Sequence, residues 1–318
     1  MKSANIDFLK ILKNSWSYVW KYKFLWLLGL LAGGGGLNYS GGNFSYLWNG
    51  SDTEKLKNLP PLHGGDVAIN NLPAAGRVLG GSTQDTTLFF AIVALLILVF
   101  ALLFIYLNIT AQGAIIKSVE RIDSDRTIKL GQSWHFGHKY FWRVLGFSLF
   151  YGLVLILLPL LVLSTPVVIF AVSSLTIPAI IFGVLFFLVY FVYVIYLALI
   201  MPYAIRLLVL EDYPVIKSIT KGFHFFNKNW KNAVLMYLII LAVMTAASIV
   251  LGIALLISGG ILVLIGVGMY LLNTIVGIIY TVIFGLALFI ALMIAAGLIS
   301  SYQSTVLTLT YRNIKALN

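Results

Sequence analysis

The sequence predicts an all-α, polytopic integral membrane protein, a bundle of about six transmembrane helices with cytoplasmic interfacial amphipathic helices. Hydrophobic residues make up 61% and charged residues only 10% of its 318 residues, whereas soluble domains carry about 25% charged residues. Two long tracts, 144–205 and 232–311, contain no Asp, Glu, Lys or Arg. Because a spanning helix needs roughly 20 apolar residues, each tract is long enough for at least two crossings.

The positive charges indicate how the chain is oriented. Of the 21 Lys and Arg residues, 18 border the apolar tracts and three lie in the polar segment 38–87. Under the positive-inside rule the first group is cytoplasmic and the polar segment is outside. We therefore predict a multi-pass cell-membrane protein with both termini in the cytoplasm. The net charge of +11 does not indicate nucleic acid as a partner, because the cations follow the membrane boundaries.

The N-terminal region is predicted to form an amphipathic helix over 5–22 and a first span over 16–37. Only about 14 residues separate the last lysine from the polar segment. The span is long enough only if Lys21 and Lys23 extend their side chains toward the interface. A secretory signal peptide is the competing interpretation, since lysines, an apolar stretch and small residues follow one another here. In both cases the next segment begins outside.

The rest of the chain continues as a single membrane domain over 1–318. Segment 38–87 is rich in Gly, Asn, Ser and Pro and is predicted to be an irregular extracytoplasmic loop. We expect Ser258-Gly259-Gly260 to end the fifth span, and 165–178 to form a short apolar turn. The predicted elements are spans over 88–116, 144–163, 179–205, 233–257 and 279–308, cytoplasmic amphipathic segments over 117–143 and 206–231, and a re-entrant or interfacial insertion over 261–277.

An internal repeat supports this division. A shift of 89 residues carries Lys117 to Arg206 and aligns the two amphipathic segments. Together with the N-terminal helix and Arg312, it indicates three units, each an amphipathic helix followed by an out-and-back hairpin. Arg206 to Arg312 is 106 residues, so the third unit is longer, which fits 261–277 as an insertion. A seventh span there would place Arg312 outside, against the charge rule, so six spans are preferred.

The amphipathic segments carry eight candidate membrane-interface residues. Their aromatic faces fit the acyl boundary, and each cation near an anionic leaflet contributes about 1 kcal/mol. The expected partners are the lipid bilayer, including anionic lipids, and a membrane protein. The same pattern fits a purely structural role, in which each amphipathic helix sets the angle at which the next span enters the membrane. The candidates are Lys21, Lys23, Lys139, Arg143, Lys217, Lys221, Lys228 and Lys231.

Four amides are candidate intramembrane polar residues: Asn108, Gln112, Asn273 and Gln303. Such groups are expensive to bury in lipid, so they face other helices or a cavity. Helix–helix hydrogen bonds and a substrate site both fit. Neither charge-free tract contains Asp, Glu or His, and the chain has no Cys. His135 and His138 lack a third ligand for a metal. We therefore expect no enzyme activity, no metal and no cofactor.

Short motifs resemble a known family. They are Gly113-Ala-Ile-Ile-Lys-Ser-Val with Phe141-Trp142-Arg143, Pro202-Tyr-Ala-Ile-Arg with Leu210-Glu211 and Trp230-Lys231, and Thr305-Val-Leu-Thr-Leu-Thr-Tyr-Arg. Together they resemble the membrane domain of some glycerophosphoryl diester phosphodiesterases and related uncharacterised six-span bacterial domains. The resemblance implies the fold and a bacterial inner-membrane setting. In those enzymes catalysis belongs to a separate soluble barrel, and no soluble stretch here is long enough to supply one.

The predicted function is therefore a non-enzymatic scaffold, sensor or docking domain for lipids or proteins. The alternative is a transporter or channel for a small or lipidic solute.

Overall fold

The computed structural model describes residues 6–33, 83–173 and 176–317, and these residues form helices joined by short turns. Most of the predicted extracytoplasmic loop at 38–87 lies outside this part of the chain. The described helices, numbered here in chain order, are α1 Phe8–Lys21, α2 Phe24–Gly33, α3 Thr83–Asp123, α4 Leu130–Ser173, α5 Thr176–Leu210, α6 Val215–Lys228, α7 Trp230–Leu272 and α8 Thr274–Ala316.

Within the described ranges, four helices are long and apolar enough to cross a membrane, namely Leu88–Asp123, Ile180–Leu210, Trp230–Leu272 and Thr274–Ala316. The ten-residue α2 is a shorter apolar helix. The middle turns of the long helices expose continuous rows of Leu, Ile, Val and Phe side chains. A soluble protein rarely exposes apolar patches of this size, because water solvates them poorly. The chain is therefore a helical membrane protein, as the sequence predicts.

The chain divides into two compact units, residues 44–107 and the remainder. Of the smaller unit, the structure describes residues 83–107, the first part of α3, where the Phe89 and Phe90 rings meet edge to face at 5.9 Å. The larger unit contains the buried core. Its best-packed part, called the packed end below, consists of residues 108–123 of α3, 197–210 of α5 and 301–314 of α8.

Helices α1, α6 and the first turns of α4 lie against the packed end. Gly137 of α4 approaches α3 so closely that an added Cβ would lie 2.1 Å from the Thr110 carbonyl oxygen. Gly222 of α6 packs on Ala204 of α5 in a similar way. Phe226 is also buried in this contact. The apolar face of α6 is thus covered by protein, whereas the sequence placed it in the acyl boundary.

One predicted interruption is absent from the structure, and another is shorter than predicted. Helix α7 continues through Ser258, Gly259 and Gly260 to Leu272. The turn predicted at 165–178 is shorter, because α4 continues past Pro166 to Ser173 and α5 begins at Thr176. An interruption in lipid would leave backbone N–H and C=O groups without partners, and each such group costs several kcal/mol. This cost exceeds the helix penalty of about 1 kcal/mol for a glycine.

The segment 261–277, predicted as a separate insertion, instead forms the tip of the α7–α8 hairpin. The turn is at Asn273, and Gly277 packs directly against the backbone of Tyr270. The residues predicted as an insertion therefore belong to two continuous helices and the turn between them.

Candidate functional site

Ion pairs join the helices at the packed end. Asp123 of α3 binds the Arg312 guanidinium of α8 at 2.6 Å and accepts a hydrogen bond of 3.1 Å from the Tyr18 hydroxyl of α1. Arg312 also donates to the Glu120 carbonyl at 2.9 Å. Three helices that are distant in sequence therefore meet at one carboxylate.

A second group of ion pairs surrounds the turn between α5 and α6. Glu211 pairs with Lys315 of α8 and accepts a hydrogen bond of 3.3 Å from the Tyr311 hydroxyl. The neighbouring Asp212 pairs with Arg143 of α4. Asp212 has a positive φ of 59°, which Asp tolerates better than most residues. Both acidic residues of this turn are thus engaged by basic side chains from other helices.

Arg206 lies inside the packed end and is only 2% exposed. Its guanidinium donates to the carbonyl of Pro202, one turn earlier in α5. It also reaches α8, where it donates to the Ser304 carbonyl at 3.0 Å and the Thr308 hydroxyl at 3.2 Å. Arg206 therefore links α5 to α8 through neutral acceptors.

Pro202 leaves one carbonyl of α5 without its helical donor, because proline has no N–H. That carbonyl belongs to Ala198, and the Tyr237 hydroxyl of α7 donates to it at 3.2 Å. The proline inside the span is thus accommodated by a hydrogen bond from a neighbouring helix, as is usual for proline in membrane helices.

The four predicted intramembrane amides do not come together in one site. Asn108 donates to the Leu31 and Ala32 carbonyls at the end of α2, both at 2.8 Å, and Gln112 donates to Asn108. Asn273 accepts hydrogen bonds from two backbone N–H groups in the first turn of α8. Gln303 is buried, and its Oε1 has no hydrogen-bond partner among the described residues. Asn108, Gln112 and Asn273 therefore form hydrogen bonds with backbone or side-chain groups of the helices.

The predicted interface cations are spread over several exposed surfaces. Lys21 and Lys23 lie at the α1–α2 junction, Lys139 and Arg143 on α4, and Lys217 on α6, where it contacts the Tyr213 ring. Lys231 lies in the first turn of α7. Two of the eight, Lys221 and Lys228, line a common concave surface.

That surface, called the basic groove below, lies between α6 and the ends of α5 and α8 and encloses about 200 Å³. Leu207, Phe225 and Tyr311 provide its apolar and aromatic lining. Its basic residues are Lys221, His224, Lys228 and Lys315.

The basic groove has an excess of positive charge. Its carboxylate, Glu211, is already bound to Lys315 and Tyr311. Among the described residues no carboxylate forms an ion pair with Lys221 or Lys228. A concave surface lined by one sign of charge concentrates oppositely charged ligands. The groove can therefore bind an anion.

The sequence did not identify this groove as a unit. His224 lies on the basic face of α6 together with Lys221 and Lys228, which was a usable signal. Lys315 comes from the far end of the chain, and only the packing of α8 against α5 brings it near α6.

A family model matches residues 17–312, which is nearly the whole chain. It describes a family of unknown function, DUF7544. The chain belongs to this family. The DUF7544 match begins within α1 and ends within α8, so it includes every residue of the basic groove except Lys315. No curated protein and no solved structure matches the chain.

Proposed function

We propose that this chain is a non-enzymatic membrane domain that docks anionic lipid headgroups on its cytoplasmic side. The observation that carries the proposal is the unmatched positive charge at the packed end. The acidic residues there are used to join helices, as Asp123, Glu211 and Asp212 illustrate. Lys221 and Lys228 therefore have no carboxylate partner among the described residues. Each lysine close to an anionic leaflet contributes about 1 kcal/mol.

In this proposal the chain crosses the membrane six times and the packed end lies in the cytoplasm. The positive-inside rule supports the orientation, since 18 of 21 cations flank the apolar tracts on that side. The turns that follow α3 and α5 share a backbone feature at positions 87 residues apart, close to the 89-residue shift of the predicted repeat. Each contains an aspartate with positive φ, Asp125 at 56° and Asp212 at 59°.

Helix α1 supplies the contact with the bilayer. Ile11, Ser15 and Val19 are buried in the protein. Another face exposes Leu9 and two tryptophans, Trp16 and Trp20, whose rings stack at 5.6 Å. Tryptophan is enriched at the membrane–water interface because its ring is apolar and its N–H is polar. These features support α1 as an interfacial helix with its aromatic face in the headgroup layer.

The resemblance to the membrane domain of glycerophosphoryl diester phosphodiesterases fits a role without chemistry of its own, and it stays a prediction. A transporter or channel is the alternative function. The hydrogen bonds of Asn108, Gln112 and Asn273 favour docking over transport, because these amides serve helix ends and each other.

Spin-labelled lipids test the proposal. The protein is reconstituted in phosphatidylcholine vesicles with a trace of spin-labelled phosphatidylglycerol or spin-labelled phosphatidylcholine, and the immobilised fraction is measured by electron paramagnetic resonance. We expect at least about fivefold selectivity for phosphatidylglycerol, corresponding to one lysine contact. It should decrease in 1 M NaCl, where the Debye length is about 3 Å. Equal immobilisation of both lipids at low salt would refute the proposal.

A further inference from the structure

The geometry points to the basic groove as a discrete site for the phosphate group of one anionic phospholipid. This inference deepens the proposed function, on which it rests for the lipid as the source of the phosphate. It adds a particular site and a particular chemical group to a general preference for anionic lipids.

The charges of the groove converge from two helices. Lys221, His224 and Lys228 lie on one face of α6 at positions i, i+3 and i+7, and Lys315 faces them from α8. Residues at this spacing are neighbours on a helix surface. Glu211 neutralises Lys315, and no carboxylate of the described residues pairs with the two α6 lysines. Lysine binds phosphate well as a compact positive charge with three donors.

The size of the groove selects a small group. Its volume of about 200 Å³ is below the roughly 300–1,000 Å³ of sites that enclose drug-sized ligands. A phosphate with part of a glycerol headgroup fits this space, while acyl chains have to lie outside it. The lining by Leu207, Phe225 and Tyr311 limits the access of water on one side, and this strengthens the attraction between lysine and phosphate.

The position of the groove matches the level of lipid phosphates. Both charge-free tracts end beside it, one at Ile205 of α5 and the other at Tyr311 of α8. Leu210, the last residue of α5, is about 8 Å beyond Ile205 along the helix. The polar layer beside the hydrocarbon core of a bilayer is of the same thickness, about 5–8 Å per leaflet. Trp230, next to the groove residue Asn229, is 53% exposed, as expected for a tryptophan at this level.

Native mass spectrometry of the full-length protein tests this site. The detergent-purified protein is titrated with phosphatidylglycerol, and binding of the first lipid is measured for matched variants. Lys221→Gln with Lys228→Gln removes two groove charges, whereas Arg126→Gln with Lys129→Gln removes two exposed charges outside the groove. We expect the first variant to bind about 30-fold more weakly and the control to change less than about threefold.

A variant that is expected to bind lipid more tightly shows that weaker binding in the lysine variant does not result from misfolding. Glu211→Gln removes the negative charge of the groove and keeps an oxygen acceptor for Tyr311 and Lys315, so the first lipid should bind more tightly, by a fewfold. Equal weakening in the groove variant and the control would overturn the site, and so would unchanged binding in Glu211→Gln.

Inorganic phosphate distinguishes the source of the ligand. Competition by millimolar phosphate, together with the lysine dependence above, supports recognition of the lipid through its phosphate. Lysine-dependent binding of phosphate without any retained phosphatidylglycerol would overturn the lipid as ligand. The two experiments can also disagree. If mass spectrometry shows lipid binding that depends on Lys221 and Lys228, but the spin-label experiment shows no preference for phosphatidylglycerol, the proposed function is refuted and the groove assignment stays in place.

Discussion

At the scale of single residues, Arg206 is the least expected feature of the fold. A buried charge usually needs an opposite charge, because desolvation of an ion is expensive. Arg206 instead donates to two carbonyls and one hydroxyl, those of Pro202, Ser304 and Thr308. Five N–H donors in a fixed planar arrangement suit this position better than the single ammonium of lysine.

Replacement of Arg206 tests its role as a link between helices. We expect Arg206→Ala to lower the free energy of unfolding by about 2–3 kcal/mol, because hydrogen bonds to a charged group are lost and a cavity remains. Arg206→Lys should cause an intermediate loss. SDS-induced unfolding followed by circular dichroism measures both. Lys231→Ala at an exposed site is the control and should change stability by less than about 0.5 kcal/mol. Wild-type stability in Arg206→Ala would contradict the role.

At the scale of elements, the helices at the packed end approach each other through glycines. Gly137 lets α4 cross α3, and Gly222 lets α6 cross α5. At another crossing, Gly29 of α2 and Gly297 of α8 bring backbone atoms of the two helices together. Small residues at such crossings are typical of membrane helices, where close packing replaces the hydrophobic effect as the driving force.

Two glycines in the same helix provide a matched test of this packing. Gly137→Ala would place a methyl group 2.1 Å from the Thr110 carbonyl oxygen. We therefore expect it to destabilise the protein by at least about 2 kcal/mol, since backbone has to move. A Cβ added at Gly131 would have no neighbouring atom within 4 Å. Gly131→Ala should be neutral or stabilising by up to about 1 kcal/mol. Equal effects of the two changes in SDS unfolding would contradict the crossing geometry.

At the scale of the whole molecule, the ion pairs that join the described helices are concentrated in one region. Those of Asp123, Glu211 and Asp212 lie within the packed end or in the turn directly beside it, whereas apolar side chains dominate the exposed surface of the middle turns of the long helices. Such a division is expected if the packed end faces water and the apolar turns of the long helices lie in lipid, because ion pairs are stable near water and costly in hydrocarbon.

Single introduced cysteines test the proposed orientation without background, since the chain has none. Leu317 is exposed near the C-terminus, and Leu272 is exposed at the tip of the α7–α8 hairpin. We expect a membrane-impermeant maleimide to label Leu272→Cys in intact cells and Leu317→Cys only after permeabilisation. External labelling of Leu317→Cys would rule out six spans with a cytoplasmic C-terminus.

The sequence predicted the class of fold well and its local interruptions poorly. Charge-free tracts reveal membrane helices because charge is excluded from lipid over the whole length of a span. Ser258-Gly259-Gly260 predicted a break by rules that hold in water, where a freed N–H finds a solvent partner. Only the α6 residues of the basic groove could be predicted from the sequence. Lys221 and Lys228 follow from the periodicity of α6, but Lys315 depends on tertiary packing that no local pattern encodes.

The length of the α7–α8 hairpin has a consequence for the surrounding bilayer. In α8, residues 274–300 precede the packed end and are about 40 Å long, compared with a hydrocarbon thickness of roughly 30 Å. A tilt of about 40°, the upper end for membrane helices, reduces this length to about 31 Å along the membrane normal. The hairpin therefore has to tilt strongly or to thicken the bilayer locally. The hairpin should therefore bias the protein toward the thickest membrane regions available to it.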